Sequence, residues 1–327
     1  MTVEQELQNT GGEEAPPGSF QFHGPVPVSF TRFVLDRREG RFRREQGQPS
    51  YALPVDDDVR RALALIPFGH RVDDILEKMI QVQIGPAIHN SVRVSPRQFP
   101  TVYRVVDRCA NRLGIAVPRV MVVADLRIQA MTVGTTDNHF IMVTSGLLEK
   151  CSDAEVAFLI GHECGHIHCM HLTYLALARA LAEWTGNLVP YAPSILIQPI
   201  RLLLQVPLAG WQRKAELTCD RAGLICSRDI DSSLRALAKY VIQTSDLADR
   251  MNLDEYLSQV ENASEESTLS KLPEFVAASP FTPKRMLALK LFARSEVYYD
   301  MAHLEKPEGL LTREELEKQT DRVTSIL

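Results

Sequence analysis

Apolar residues are sparse and lack a period over residues 1–50, which predicts an extended or partly disordered arm. From 56 to 94 the spacing turns helical, with interruptions at Pro67 and Pro86, and a clearer helix is predicted over about 99–113, ending at Gly114. Three short β-rich runs follow at 119–124, 128–133 and 139–144, separated by polar or glycine-containing turns, and they predict a small sheet. Ser152 with Glu155 three residues on has the form of a capping box, and the apolar run behind it predicts a helix through His171. The Leu-, Ala- and Ile-rich stretch 172–212 reads as a buried or cleft-covering helical hairpin. Beyond Gly210 helical patterns recur at about 211–227, 232–245, 254–262, 283–303 and 312–325. The expected fold class is therefore α+β, mainly helical. Its expected parts are an arm over 1–50, a helical extension over 51–100 and a main domain over 101–327.

With 327 residues, 45% of them hydrophobic, the chain can bury a large core. The net charge of -5 arises from 36 basic and 41 acidic residues, too even a balance to predict a nucleic-acid partner or a polybasic membrane anchor. The basic cluster Arg37, Arg38, Arg41, Arg43 and Arg44 reads as a solvated face. No basic start followed by an apolar run occurs near residue 1, so a secretory signal is not expected. The longest uncharged part of the apolar stretch, 184–200, contains Pro190, Pro193 and Pro199, which would interrupt a spanning helix. No spanning segment is expected, while peripheral membrane contact stays open. Six cysteines, at 109, 151, 164, 169, 219 and 226, show no C-x-x-C pairing and read as reduced core residues of a cytoplasmic protein. Cys164 and Cys169 lie near the motif described next, but their spacing asks for no ligand role.

His162-Glu163-Cys164-Gly165-His166 is an H-E-x-x-H sequence on a predicted helix. At 3.6 residues per turn, positions four apart share a face, so both imidazoles can grip one ion. Glu163 projects about 100° away from His162, which suits a base acting on a metal-bound water better than a ligand. Two unrelated histidines on an ordinary helix would also produce the pattern. Gly165, however, costs a helix about 1 kcal/mol relative to alanine, and stacked imidazoles beside a carboxylate are costly on an apolar face. A third ligand from H-E-x-x-H-x-x-G-x-x-H is excluded, because position 169 is Cys and position 172 is Leu. His168 and His171 are expected to be neighbours of the site and not ligands. Glu216 and Asp220, four apart among small and apolar residues, offer a carboxylate ligand and a carboxylate to orient a ligand imidazole.

Three segments carry a family resemblance: TTDNHFIMVTSGLLE (135–149), AEVAFLIGHECGHI (154–167) and RKAELTCDRAG (213–223). Together they resemble the HtpX and CaaX-prenyl-protease type of zinc endopeptidase, a gluzincin, with the similarity covering about 119–289. The resemblance implies that 101–327 is a zinc metallopeptidase domain with a small sheet beside the H-E-x-x-H helix. It implies one Zn2+ per chain held by His162, His166 and Glu216, Glu163 as general base, and a polypeptide substrate paired to the outer strand. Asp220 would orient a histidine, and Arg285 would support the glutamate-bearing helix or an oxyanion. Family members commonly carry a His-Pro pair ahead of that arginine, where this chain has Ser279-Pro280. Two other readings are a non-proteolytic metal-binding or chaperone-like module, and a zinc amidohydrolase acting on a small substrate. Glu163 separates the first of these from a peptidase, since a binding module needs ligands but no base.

Overall fold

A computed structural model describes residues 48–54, 56, 89–134, 139–172, 175, 194–258 and 281–324, with backbone alone for 194–208. Outside the described residues lie nearly all of the predicted arm, most of the helical patterns before residue 89, the first part of the 172–212 hairpin, and Ser279 with Pro280. The chain runs β1 (Val92–Arg93), α1 (Pro100–Leu113), β2 (Val120–Val123), β3 (Ala130–Gly134), β4 (His139–Thr144), α2 (Ser145–Lys150) and α3 (Asp153–His168). It continues through α4 (Ser194–Ser227), α5 (Ile230–Ile242), α6 (Ser245–Asp249), α7 (Thr282–Phe292), α8 (Glu296–Ala302) and α9 (Arg313–Thr324). The fold is α+β and mainly helical, as the periodicities predict. Among the described residues no helix is long and apolar enough to cross a membrane.

The three predicted β runs form three strands of one mixed sheet in the order β1-β2-β4-β3. β2 and β4 are parallel, while β1 and β3 lie antiparallel at the two edges. β1 falls where the pattern predicts helix, and it is only two residues long. Alternation buries Val120, Val122, Ile141 and Val143 against the helices, and β3 lies alongside α3.

Both halves of the predicted capping box form: Glu155 N–H donates to Ser152 Oγ at 3.3 Å and Ser152 N–H to Glu155 Oε2 at 2.6 Å. The same Glu155 carboxylate accepts from buried Lys239 of α5 at 2.9 Å, tying the start of α3 to the next layer. Three helix boundaries differ from expectation, each for a local reason. α3 ends at His168, because Met170 adopts a left-handed conformation (φ 58) and turns the chain back. Gly210 does not start a helix but lies inside the 34-residue α4. A glycine costs only about 1 kcal/mol, too little to break a helix whose next turns bury Trp211, Ala215 and Leu217. The pattern at 283–303 is two helices, since Ser295 caps the second by accepting from Tyr298 N–H at 3.3 Å.

α3 and α4 form the most extensive helix pair. A Cβ at Gly165 would stand 2.9 Å from Ala222 Cβ, and one at Gly223 would stand 2.8 Å from the Phe158 ring. A Cβ at Gly161 would overlap Cys226 Cβ. These glycines therefore set the interhelical distance. Residues 51–53 also enter the core: Tyr51, Ala52 and Leu53 are buried, and Arg221 of α4 donates to the Tyr51 carbonyl at 3.2 Å.

Gly161→Ala is expected to lower the unfolding free energy in a denaturant titration by about 1–2 kcal/mol, as overpacking outweighs the gain in helix propensity. A variant more stable than the parent would show that the helices have room between them.

Candidate metal centre

α3 sets His162 and His166 one turn apart, with ring centroids 5.0 Å from each other in a T-shaped arrangement. Their Nε2 atoms face α4: His162 Nε2 lies 3.6 Å from Glu216 Oε2, and His166 Nε2 lies 3.6 Å from Glu216 Oε1. Bonds of about 2.0–2.2 Å to a tetrahedral zinc would hold neighbouring ligand atoms about 3.4 Å apart. Each imidazole therefore stands at about that separation from one Glu216 oxygen, and the donor types of the three residues suit zinc. Both histidine side chains are buried, whereas 21% of the Glu216 side chain is exposed.

The Nδ1 atoms point the other way. His162 Nδ1 stands 2.9 Å from Asp220 Oδ1, one helical turn beyond Glu216. Asp220 is gripped in turn by Arg285 of α7, through Nε to Oδ2 at 2.8 Å and Nη2 to Oδ1 at 2.7 Å. Arg285 Nη1 also lies 3.3 Å from Glu216 Oε2. One guanidinium thus holds both α4 carboxylates. Burial alone would push Glu216 and Asp220 up. For Glu216 the bond with His166 and the Arg285 charge outweigh burial, and for Asp220 Arg285 and His162 do so, leaving both below the ordinary range. Burial pushes His162 down, but Asp220 and Glu216 more than compensate and its pKa is raised. Burial, aided by the nearby His162, holds His166 below its usual value against the pull of Glu216.

Cys219 is a second donor on α4, with ligand atoms of His162, His166 and Cys219 all within 4.8 Å of one another. Its Sγ sits toward the Gly165 side, 3.7 Å from His171 Nδ1. Burial, with Cys169 and Glu216 adding to it, raises its thiol well above the ordinary value, which disfavours the thiolate that a metal requires. Cys164 is likewise buried, with its thiol raised by burial and then by Cys109 and Glu163.

Glu163 turns toward the sheet. Its Oε2 receives the Thr132 backbone N–H and lies within hydrogen-bond distance of the Thr132 hydroxyl, each at 2.6 Å. Thr132 Oγ1 is also 3.2 Å from the Glu163 carbonyl oxygen. Thr132 lies on β3, which within the sheet pairs on one side only, and its N–H points away from β4. Sequence reading gave Thr132 no part, because only the tertiary contact between strand and helix brings the two residues together.

The two neighbouring histidines take different positions. His168 Nδ1 lies 3.0 Å from the Tyr51 hydroxyl. His171, carried back by the turn at Met170, sets its Nδ1 3.2 Å from His166 Nδ1 and packs its ring edge-on against Trp211. Its Nε2 is buried without a hydrogen-bond partner and lies 3.6 Å from Asp56 Oδ2. Nothing in the sequence signals a link between Asp56 and the metal helix.

The sequence model of peptidase family M48 matches residues 96–292, more than half of the chain. The chain is 31% identical over 180 residues to the plastoglobule-localized metallopeptidase 48, chloroplastic, of Arabidopsis thaliana, covering 55% of this chain and 51% of that protein. It is 26% identical over 170 residues to a Protease HtpX homolog of Ralstonia nicotianae, covering 46% and 59% of the two chains. Against a Protease HtpX homolog of Pyrococcus furiosus it is 27% identical over 175 residues, covering 46% and 60%. The chain thus spans between half and three fifths of these curated relatives. No solved structure matches it.

Deleting one member of a buried ion pair typically costs about 3–5 kcal/mol. Arg285→Met is accordingly expected to destabilise the metal-free protein by about 3 kcal/mol in chemical denaturation. Unchanged stability would show that Asp220 is satisfied without the guanidinium.

Proposed function

The chain belongs to peptidase family M48, and from that premise we propose that it is a zinc-dependent endopeptidase acting on proteins or unstructured polypeptides. The observation that carries this reading is the placing of His162 and His166 each 3.6 Å from a Glu216 oxygen, with Glu163 on the same helix turned toward an edge strand. His162, His166 and Glu216 would hold the metal. When bound, zinc supplies a Lewis acid that polarises a carbonyl and lowers the pKa of a water.

The remaining work falls to the chain's own groups. Glu163 accepts the proton of the attacking water and delivers it to the leaving amine. Thr132 presents two donors to Glu163 Oε2, which limits where the carboxylate swings. Asp220 holds His162 by its Nδ1, so that Nε2 is the atom offered to the metal. Arg285 is a positioning residue that keeps Asp220 and Glu216 in place. Beside Thr132, whose N–H is committed to Glu163, the outer edge of β3 offers an extended polypeptide backbone groups to pair with, a mode that tolerates many side-chain sequences.

Glu163→Gln is expected to retain one zinc per chain and the parent fold while losing about 10²–10⁴-fold in turnover of an unstructured peptide. His162→Ala and Glu216→Ala should each lose the metal. Metal analysis beside a peptide digest reads both effects. Zinc retained without cleavage by the parent chain would favour the binding-module reading, and cleavage of small amides alone would favour an amidohydrolase.

A further inference from the structure

A buried chain of polar groups runs from the metal centre to residue 56, and the functions assigned above do not use it. His166 Nδ1 faces His171 Nδ1 at 3.2 Å. Behind His171, its Nε2 is buried 3.6 Å from Asp56 Oδ2. Asp56 is itself buried and accepts from the Thr218 hydroxyl on Oδ2 at 2.6 Å and from Trp211 Nε1 on Oδ1 at 3.1 Å. Thr218 and Trp211 both belong to α4. Two backbone contacts keep this segment in place: Leu53 N–H donates to Thr218 Oγ1 at 3.2 Å, and Asp56 N–H donates to the Leu53 carbonyl at 3.1 Å.

We propose that Asp56 and His171 form a relay that sets the tautomer of His166, making Asp56 a working part of the metal centre. The inference rests on the reading that His166 binds metal through Nε2. Such binding requires the His166 proton on Nδ1. Two Nδ1 atoms at 3.2 Å can share only one proton, so His171 must meet His166 with a bare Nδ1 and carry its own proton on Nε2. The atom facing that Nε2 proton is an acceptor-only carboxylate oxygen of Asp56. Cys219 Sγ, 3.7 Å from the same His171 Nδ1, adds a weak donor to the side that must accept. Asp220 acts on His162 directly, whereas Asp56 acts on His166 through one intervening imidazole.

The local donors make Asp56→Asn a decisive variant. Trp211 Nε1 can only donate, so the new amide must turn its oxygen toward Trp211 and its NH2 toward Thr218 and His171. The Thr218 hydroxyl can rotate and accept. His171 Nε2 must then accept as well, which moves the His171 proton to Nδ1, against the Nδ1 proton of His166. The metal-binding tautomer of His166 is opposed, although the shape of the side chain has hardly changed.

Two measurements on the full-length, zinc-loaded chain test this. In the parent, nitrogen NMR of histidine-labelled protein should find His171 protonated at Nε2 and bare at Nδ1. In Asp56→Asn, zinc affinity read by chelator competition should fall about 10–100-fold, the usual cost of losing a group behind a ligand, with the His171 tautomer reversed and the helical signal retained. A parent His171 protonated at Nδ1 overturns the relay and needs no variant to show it. Unchanged zinc affinity in Asp56→Asn also overturns it. His162→Ala, measured alongside, tells the two levels apart. If it loses zinc while Asp56→Asn does not, only the relay fails. If it keeps zinc, the ion lies elsewhere, and both the site assignment and the relay fall.

Discussion

Gly161, Gly165 and Gly223 let α3 and α4 meet with no side chain wedged between them, and that separation is the constraint on which the metal centre depends. On α3 each of the two glycines immediately precedes a histidine of the proposed site: Gly161 adjoins His162, and Gly165 adjoins His166. The stripe that packs and the stripe that carries the imidazoles are neighbours on one helix. On α4 the glutamate, the aspartate and the glycine at 216, 220 and 223 fall on a shared face by the same periodicity. A separation larger by the width of one methyl group would move both Glu216 oxygens out of ligand reach of the two Nε2 atoms. Burying Asp220 and Arg285 so close together is tolerable because each satisfies the other with two hydrogen bonds.

What could be read in the sequence is what helices make local. The H-E-x-x-H spacing, the pairing of Glu216 with Asp220, and the Ser152–Glu155 cap are all i to i+3 or i+4 relations, and a periodic chain displays them directly. The strand at 139–144 is found at its predicted bounds for a similar reason, since a short run of β-forming residues between turns is visible in the local sequence. The features missed are those in which tertiary packing overrides a local preference. Met170 in a left-handed conformation ends α3 early, and a methionine gives no warning of it. The same turn converts His171 from a helical neighbour into a partner of His166. Thr132 and Asp56 reach the site across long stretches of chain, and an isolated threonine or aspartate carries no mark of its eventual contact.

The two histidines at the centre are held unequally. His162 rests against a carboxylate that is also bound to a guanidinium, so its orientation is tied to α7. His166 rests against a second imidazole, whose far side meets residue 56. Three regions distant in sequence therefore converge on the two rings: the segment before residue 57, the long α4, and the helix that carries Arg285. Glu163 adds a fourth, because its carboxylate is fastened to β3 through Thr132. The site is an intersection of elements more than a property of one motif.

The docking of residues 51–56 also bears on how the chain is made. Tyr51 and Asp56 are translated before their partners on α4, which lie 155 to 170 residues later. Arg221, which binds the Tyr51 carbonyl, is itself anchored by Glu317 of α9 at 2.8 Å, close to the last described residues. During synthesis this segment must therefore wait, with an aromatic side chain and an acid exposed, until α4 and α9 have emerged. Contacts of such long sequence separation form slowly. In this protein the segment carrying Tyr51 and Asp56 is translated before its partners and is among the last to find its place, and a nascent chain has a period in which holding factors can act on it.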